Sequence, residues 1–64
     1  MKIILNGHEQ KTRATTLASL LVEHGFDGSI ATARNGDFVP RAQRAATLIR
    51  EGDRIEVVSP MQGG

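Results

Sequence analysis

Lys2-Ile3-Ile4-Leu5-Asn6-Gly7 is the stretch from which the fold of this sequence can be worked out. The run from Lys2 to Leu5 is mostly apolar and β-prone, which is typical of a strand. Asn6-Gly7 is a strong hairpin signal, because both residues tolerate positive φ. The return strand is expected from about His8 to Arg13, whose polar side chains suit an exposed sheet edge. The chain therefore begins with a predicted β-hairpin.

The period of the apolar residues changes after this hairpin. Leucines recur at helical spacing from Leu17 to Leu21, Thr16 is suited to cap the first turn, and Gly25 follows as a stop signal. The sequence predicts one helix from about Leu17 to His24. Because two turns are too few for a stable isolated helix, it must pack against a sheet.

The second half of the chain reads as short strands separated by turns. Asn35-Gly36 provides a second hairpin turn, and Pro40 ends the pairing that follows it. The segment from Arg41 to Arg50 is expected to be an irregular or single-turn connection anchored by Leu48 and Ile49. Strands are predicted at residues 30–34, 38–39 and 54–58.

Composition excludes several classes of function. The chain has 64 residues, enough for one domain but not for a buried active site of many residues as well. It has no cysteine, which rules out disulfides, cysteine-ligated metals and a side-chain persulfide. A net charge of +1 and only two aromatic residues argue against binding to nucleic acid or membranes. The absence of a long apolar run favours a cytoplasmic location.

The order of the predicted elements defines a fold class. A hairpin, a helix and then further strands fit an α+β fold, in which the last strand lies parallel to the first and one main helix covers one face. This arrangement is the β-grasp, or ubiquitin-like, fold with a mixed sheet of four to five strands. We assign residues 1–58 to the domain and residues 59–64 to a flexible C-terminal tail.

The tail ends on Gly63-Gly64. Glycine has no Cβ, so this end is slim enough to enter a tunnel that excludes side chains. A terminal carboxyl group has a pKa near ~3.5, so it is ionised and unreactive at neutral pH. Chemistry at Gly64 therefore requires a partner that activates the carboxylate, for example by transferring a nucleotide from ATP.

Several stretches together resemble the ThiS-type sulfur carrier proteins of thiamine biosynthesis, over the whole length of the chain. The matching stretches are Ile3-Ile4-Leu5-Asn6-Gly7, Thr16-Leu17-Ala18-Ser19-Leu20-Leu21, Val39-Pro40-Arg41, Gly52-Asp53-Arg54-Ile55-Glu56 and Gly63-Gly64.

The resemblance implies a function for the last four residues of the tail, Met61, Gln62, Gly63 and Gly64. An E1-like adenylating enzyme of the ThiF type would use Mg-ATP to adenylate Gly64, and a donor such as a cysteine desulfurase relay would supply sulfur. The resulting thiocarboxylate would deliver its sulfur to a thiazole synthase of the ThiG type. The chain itself would be a co-substrate with no bound cofactor, and not an enzyme.

Strand alternation predicts a docking surface. If Ile3 and Ile55 face the helix, then Ile4 and Val58 face the other way. We expect Ile4 and Val58 to be neighbours in an exposed apolar patch at the root of the tail, extended by Phe38 and Met61.

Two other functions fit the same sequence. A related carrier, similar to the small subunit of molybdopterin synthase, would differ only in its sulfur acceptor. A non-conjugating β-grasp module that binds protein or RNA would not need a free terminal carboxylate. His8 and His24 lack metal-ligating neighbours and are expected to be ordinary surface or helix-end residues.

Overall fold

The computed structural model describes residues 1–59, which form a single five-stranded sheet and two short helices. In chain order the elements are β1 (Lys2–Leu5), β2 (His8–Lys11), α1 (Leu17–Glu23), β3 (Ala31–Arg34), β4 (Asp37–Val39), a 3₁₀ helix (Arg41–Ala46) and β5 (Arg54–Val58).

The sheet order is β2-β1-β5-β3-β4. β1 and β5 pair in parallel at its centre, and the other neighbouring strands are antiparallel. The predicted α+β mixed sheet is therefore confirmed, with five strands and one main helix. No helix in the part of the chain that the structure describes is long and apolar enough to cross a membrane.

Both Asn-Gly pairs form tight turns. Asn6 and Gly7 have φ values of 51° and 82°, and Asn35 and Gly36 have values of 52° and 87°. Positive φ at both central positions is the geometry whose twist matches paired strands, which explains why the sequence uses Asn and Gly here. β2 and β3 are shorter than predicted, since β2 ends at Lys11 and β3 begins at Ala31, whereas β4 begins one residue earlier than predicted, at Asp37.

Helix α1 begins and ends where the sequence indicates, within one residue. The Thr16 hydroxyl accepts a 3.1 Å hydrogen bond from the Ser19 amide, which caps the first turn. Gly25 has a φ of 76° just after the helix, a conformation that residues with a Cβ rarely adopt.

The core lies between α1 and one face of the sheet. Ile3 and Ile55 on the two central strands and Leu17 and Leu20 on α1 are completely buried. The hydrophobic effect across this interface holds the helix in place, since a helix of seven residues is unstable alone.

The connection before β5 differs from the prediction in two ways. It contains a six-residue 3₁₀ helix, longer than the single turn expected, and Leu48 is 56% exposed while Ile49 is buried. The reason is an extended segment after the helix: Leu17 donates to the Thr47 carbonyl at 2.9 Å, and Ile49 donates to Thr15 at 3.0 Å. Successive side chains of extended backbone point in opposite directions, so Ile49 anchors the segment and Leu48 does not.

Candidate functional site

The predicted docking residues lie on the outer face of the sheet, opposite α1. Phe38 on β4 is 68% exposed and Val58 on β5 is 59% exposed. Both line a shallow depression of about 250 Å³, together with Ala31 and Ala33 of β3 between them. We call these four residues the outer-face depression.

Strand pairing explains why a depression forms here. β3 lies between β4 and β5, and it places Ala33 opposite Phe38 and Ala31 opposite Val58. Each large apolar side chain thus stands beside a small one, which leaves room above the alanines for a side chain from another molecule. An exposed apolar concavity of this kind is typical of protein contact sites.

Ile4 is not part of this depression, so the prediction that Ile4 and Val58 are neighbours is wrong. Ile4 is half-buried and pairs with Arg54, and Val58 lies four residues further along β5. At about 3.3 Å per residue, this separates them by about 13 Å along the strand. Alternation correctly gave the shared face, but it carries no information on the register between strands.

Ile4 instead lines a second concavity of about 320 Å³ on the same face, with Arg54, Glu56 and the glycines of the two hairpin turns, Gly7 and Gly36. Glu56 lines both concavities, so a carboxylate separates Ile4 from the outer-face depression. A partner that spans this face therefore meets the apolar outer-face depression and, beyond the Glu56 carboxylate, a concavity in which Ile4 lies beside the charged Arg54.

Side chains of the two hairpin turns hold β5 in place. Asn6 donates its backbone amide to the Ile55 carbonyl at 2.9 Å, and its side-chain oxygen accepts the Val57 amide at 2.8 Å. On the other side, the Asn35 side chain accepts the Arg54 amide at 2.8 Å. The strand that leads to Val58 is thus fixed along its length by both neighbours.

Asp53, just before β5, is the buried ionised group of this region. It accepts hydrogen bonds from Arg34 Nε at 2.7 Å, Asn35 Nδ2 at 3.0 Å and the Arg50 amide at 2.8 Å. Burial favours the neutral acid and by itself raises the pKa of Asp53, but the hydrogen bonds and the Arg34 charge together lower that pKa below its usual value. The carboxylate therefore stays ionised and fixes the start of β5.

Glu23, at the end of α1, also has a lowered pKa. The Thr12 hydroxyl and the Arg13 amide donate to its carboxylate, and these bonds favour the charged form. This contact fastens the helix to the loop before it and lies away from the outer face.

No group of three or more His, Cys, Asp or Glu residues within residues 1–59 is placed to hold a metal ion. The predicted tail residues Met61, Gln62, Gly63 and Gly64 lie outside the described residues, so the structure does not test their role.

Ala31, Ala33 and Glu56 line the outer-face site but were not predicted from the sequence. Alternation within β3 and β5 was sufficient to place these residues on the outer face. What the sequence lacked was the pairing of β3 with both β4 and β5, which sets alanines beside Phe38 and Val58.

The parallel pair at the centre of a five-stranded mixed sheet and the main helix α1 on one face define a ubiquitin-like β-grasp protein. The chain belongs to the ThiS family, whose family model matches residues 3–64. This confirms the resemblance to the ThiS sulfur carriers of thiamine biosynthesis.

Two individual proteins show the extent of the similarity. The crystal structure of the thiamine biosynthesis protein ThiS from Geobacter metallireducens shares the fold with a TM-score of 0.85, covers 100% of both chains and is 23% identical. A thiazole synthase from Paramagnetospirillum magneticum (strain AMB-1) is 36% identical over 66 residues, covering 100% of this chain and 20% of that protein. The chain thus spans about a fifth of the length of that relative.

Proposed function

We propose that this chain carries sulfur as a thiocarboxylate on Gly64 and donates it for thiazole formation in thiamine biosynthesis. The carrier is a protein co-substrate, and its partners perform the catalysis. An E1-like enzyme binds Mg-ATP and activates Gly64, a cysteine desulfurase relay supplies the sulfur, and a thiazole synthase receives it.

The observation that carries this proposal is the family match, which extends to residue 64 and so includes both terminal glycines. The similarity to a thiazole synthase supports a thiazole acceptor over the molybdopterin alternative.

The chemistry needs only a free carboxylate at Gly64. One carboxylate oxygen attacks the α-phosphorus of ATP and pyrophosphate leaves, which converts an unreactive anion into an acyl-adenylate. The outer sulfur of a persulfide on the donor then attacks the acyl carbon and AMP leaves, which gives an acyl disulfide. A second thiol on a partner attacks the donor's own sulfur, so a disulfide forms between these two partner sulfurs and the thiocarboxylate on Gly64 is released. The thiocarboxylate formed is a reactive sulfur nucleophile at the end of a slim glycine pair.

The outer-face depression serves as the docking surface for the partner enzymes. Val58 lines the depression, and residues 59–64 follow it directly in the chain. Six residues span at most about 20 Å when fully extended. An enzyme that holds Phe38 and Val58 must therefore place its reaction centre within about that distance of the depression.

The intact mass of the protein tests this proposal. The chain is incubated with Mg-ATP, the E1-like enzyme of the same organism and a sulfur source. We expect a mass increase equal to the exchange of one oxygen for sulfur, which fragmentation assigns to Gly64. A matched variant with one alanine appended after Gly64 should show no change.

A wild-type chain that stays unmodified, with an enzyme shown to be active on another carrier, contradicts the proposal and favours the non-conjugating binding module. Modification at Gly64 followed by transfer to molybdopterin synthase instead of thiazole synthase retains the carrier and changes its pathway.

A further inference from the structure

A third concave surface lies on the helix side of the molecule, between α1 and the 3₁₀ helix. It has a volume of about 330 Å³, and its apolar lining includes Leu21, Val22, Phe26 and Ile30. Val22 is 79% exposed although it belongs to the helix that covers the core. We call this surface the helix-side groove.

Arg44 of the 3₁₀ helix is buried at the groove, with 9% of its surface exposed. Its Nε donates to the Thr32 hydroxyl at 3.0 Å, and its Nη2 donates to the Ile30 carbonyl at 2.7 Å. A guanidinium has five N–H donors, so these two contacts to neutral acceptors leave others for a further partner.

No carboxylate among residues 1–59 forms an ion pair with Arg44 or with Arg41, which also lines the groove. The ion pairs in this part of the chain join Lys2 to Glu9 and Arg34 to Asp53, and the Glu23 carboxylate lies beside the His24 ring. A buried cation without a counter-charge is costly, because it loses hydration that neutral acceptors only partly replace. With Asp27 as its one acidic lining residue, the groove has an excess of positive charge.

The groove lies beside the root of the tail. Ile30, whose carbonyl contacts Arg44, precedes Ala31, and Ala31 pairs with Val58 at the end of β5. Val58 presents its side chain to the outer face, while the groove opens on the helix side. A partner that surrounds the end of β5 reaches both surfaces.

We propose that the helix-side groove binds a protein segment in which an Asp or Glu side chain is flanked by apolar residues. The carboxylate pairs with Arg44 and Arg41, and the apolar residues pack on Val22 and Phe26. The segment belongs to an enzyme that holds the carrier during activation or sulfur delivery, so this inference rests on the proposed function. Bidentate pairing of a guanidinium with a carboxylate supplies both energy and orientation.

Charge changes at Val22 give a specific test, since the side chain is exposed and its replacement leaves the internal hydrogen bonds intact. The E1-like enzyme and the thiazole synthase of the same organism are each titrated with the carrier by calorimetry. For the enzyme that supplies the acidic segment, we expect Val22→Asp to weaken binding about tenfold or more and Val22→Lys to maintain or strengthen it. Steric damage alone would weaken binding in both variants.

Arg41→Glu should weaken the same complex about tenfold and reduce its sensitivity to salt. Lys11→Glu is the matched control, because it makes the same charge change on the edge strand β2, outside the groove and the outer-face depression. An equal loss of affinity in Lys11→Glu would attribute the effect to net charge and overturn the groove proposal.

The same titrations separate the two proposals. If Val58→Asp weakens binding to the enzymes and the changes at Val22 and Arg41 do not, the groove proposal is overturned and the carrier function stands. If the wild-type chain binds neither enzyme, both the groove proposal and the proposed carrier function are overturned.

Discussion

The side-chain oxygen of Asn6 accepts a 2.8 Å hydrogen bond from the backbone amide of Val57. The parallel ladder between β1 and β5 includes the bonds from Ile4 to the Asp53 carbonyl and from Asn6 to the Ile55 carbonyl. The backbone of β1 turns away from β5 at Asn6. The side-chain oxygen of Asn6 then accepts the hydrogen bond that the next backbone carbonyl of β1 would have accepted. One side chain therefore both permits the turn and extends the pairing of the strand that bears Val58.

Substitutions at Asn6 should separate these two roles. Asn6→Gly retains the positive φ and loses the hydrogen bond, so we expect a loss of about 1 kcal/mol of unfolding free energy. Asn6→Ala adds the strain of a Cβ in the left-handed region, about 1 kcal/mol more. Asn6→Asp keeps an acceptor and tolerates this conformation, and it serves as the control in urea unfolding. Equal stability of all three variants would contradict the role of the Val57 contact.

Acid should destabilise the protein through Asp53. The folded-state pKa of this carboxyl lies below its unfolded value of about 3.9, so the stabilisation is fully present above that value and is lost as the pH falls through the folded pKa. Urea unfolding at a series of pH values should show stability falling below about pH 4. Glu23, with its own lowered pKa, contributes in the same direction.

Asp53→Asn isolates the Asp53 contribution. It removes the charge that pairs with Arg34 and should cost roughly 1–3 kcal/mol at pH 7. The variant should also have a shallower dependence of stability on pH than the wild type. An unchanged pH profile would show that another group is responsible.

A buried and an exposed substitution on helix α1 should differ in their effect on stability. Leu20 is completely buried between α1 and the sheet. Leu20→Ala should therefore lower the free energy of unfolding by roughly 2–5 kcal/mol, enough to unfold a large fraction of the molecules of so small a domain. Circular dichroism during thermal unfolding measures this loss. Val22→Ala, two residues further along the same helix but exposed, is the comparison and should change stability by less than about 0.5 kcal/mol.

Val58→Asp should leave the fold intact and reduce adenylation of the carrier. Val58 is 59% exposed, and an aspartate there places a charge in the outer-face depression where a partner is expected to pack an apolar side chain. Pyrophosphate release by the E1-like enzyme measures the effect, for which we expect at least a tenfold rise in KM.

Leu48→Asp is the matched control for Val58→Asp, since Leu48 is 56% exposed and lies outside the depression. If both variants are adenylated at the wild-type rate while both remain folded, the outer-face depression is not the docking surface.

Local signals in the sequence predicted most of the fold. The two Asn-Gly turns require positive φ, and Thr16 and Gly25 mark the ends of the helix, so neighbouring residues alone determine these features. Alternation then gave the inward and outward faces of β1 and β5. These rules depend on spacing along one segment, which a sequence displays directly.

The errors concern relations between distant segments. The distance of Val58 from Ile4 depends on the register of β1 and β5, which the Asn6 contact helps to set across 51 positions of the chain. The burial of Arg44 likewise depends on Thr32 and Ile30 in another strand. Nothing within Arg41–Ala46 distinguishes Arg44 from its exposed neighbour Arg41.

The parallel pairing of β1 and β5 determines how the domain resists a pulling force on its ends. The two strands run in the same direction, so tension between the start of β1 and the end of β5 acts along the strands and across their hydrogen bonds. Such a shearing force must break several bonds at once, whereas peeling an edge strand breaks them one after another. A pull on the end of β5 by a partner of the kind proposed above would therefore be resisted by the whole β1–β5 ladder.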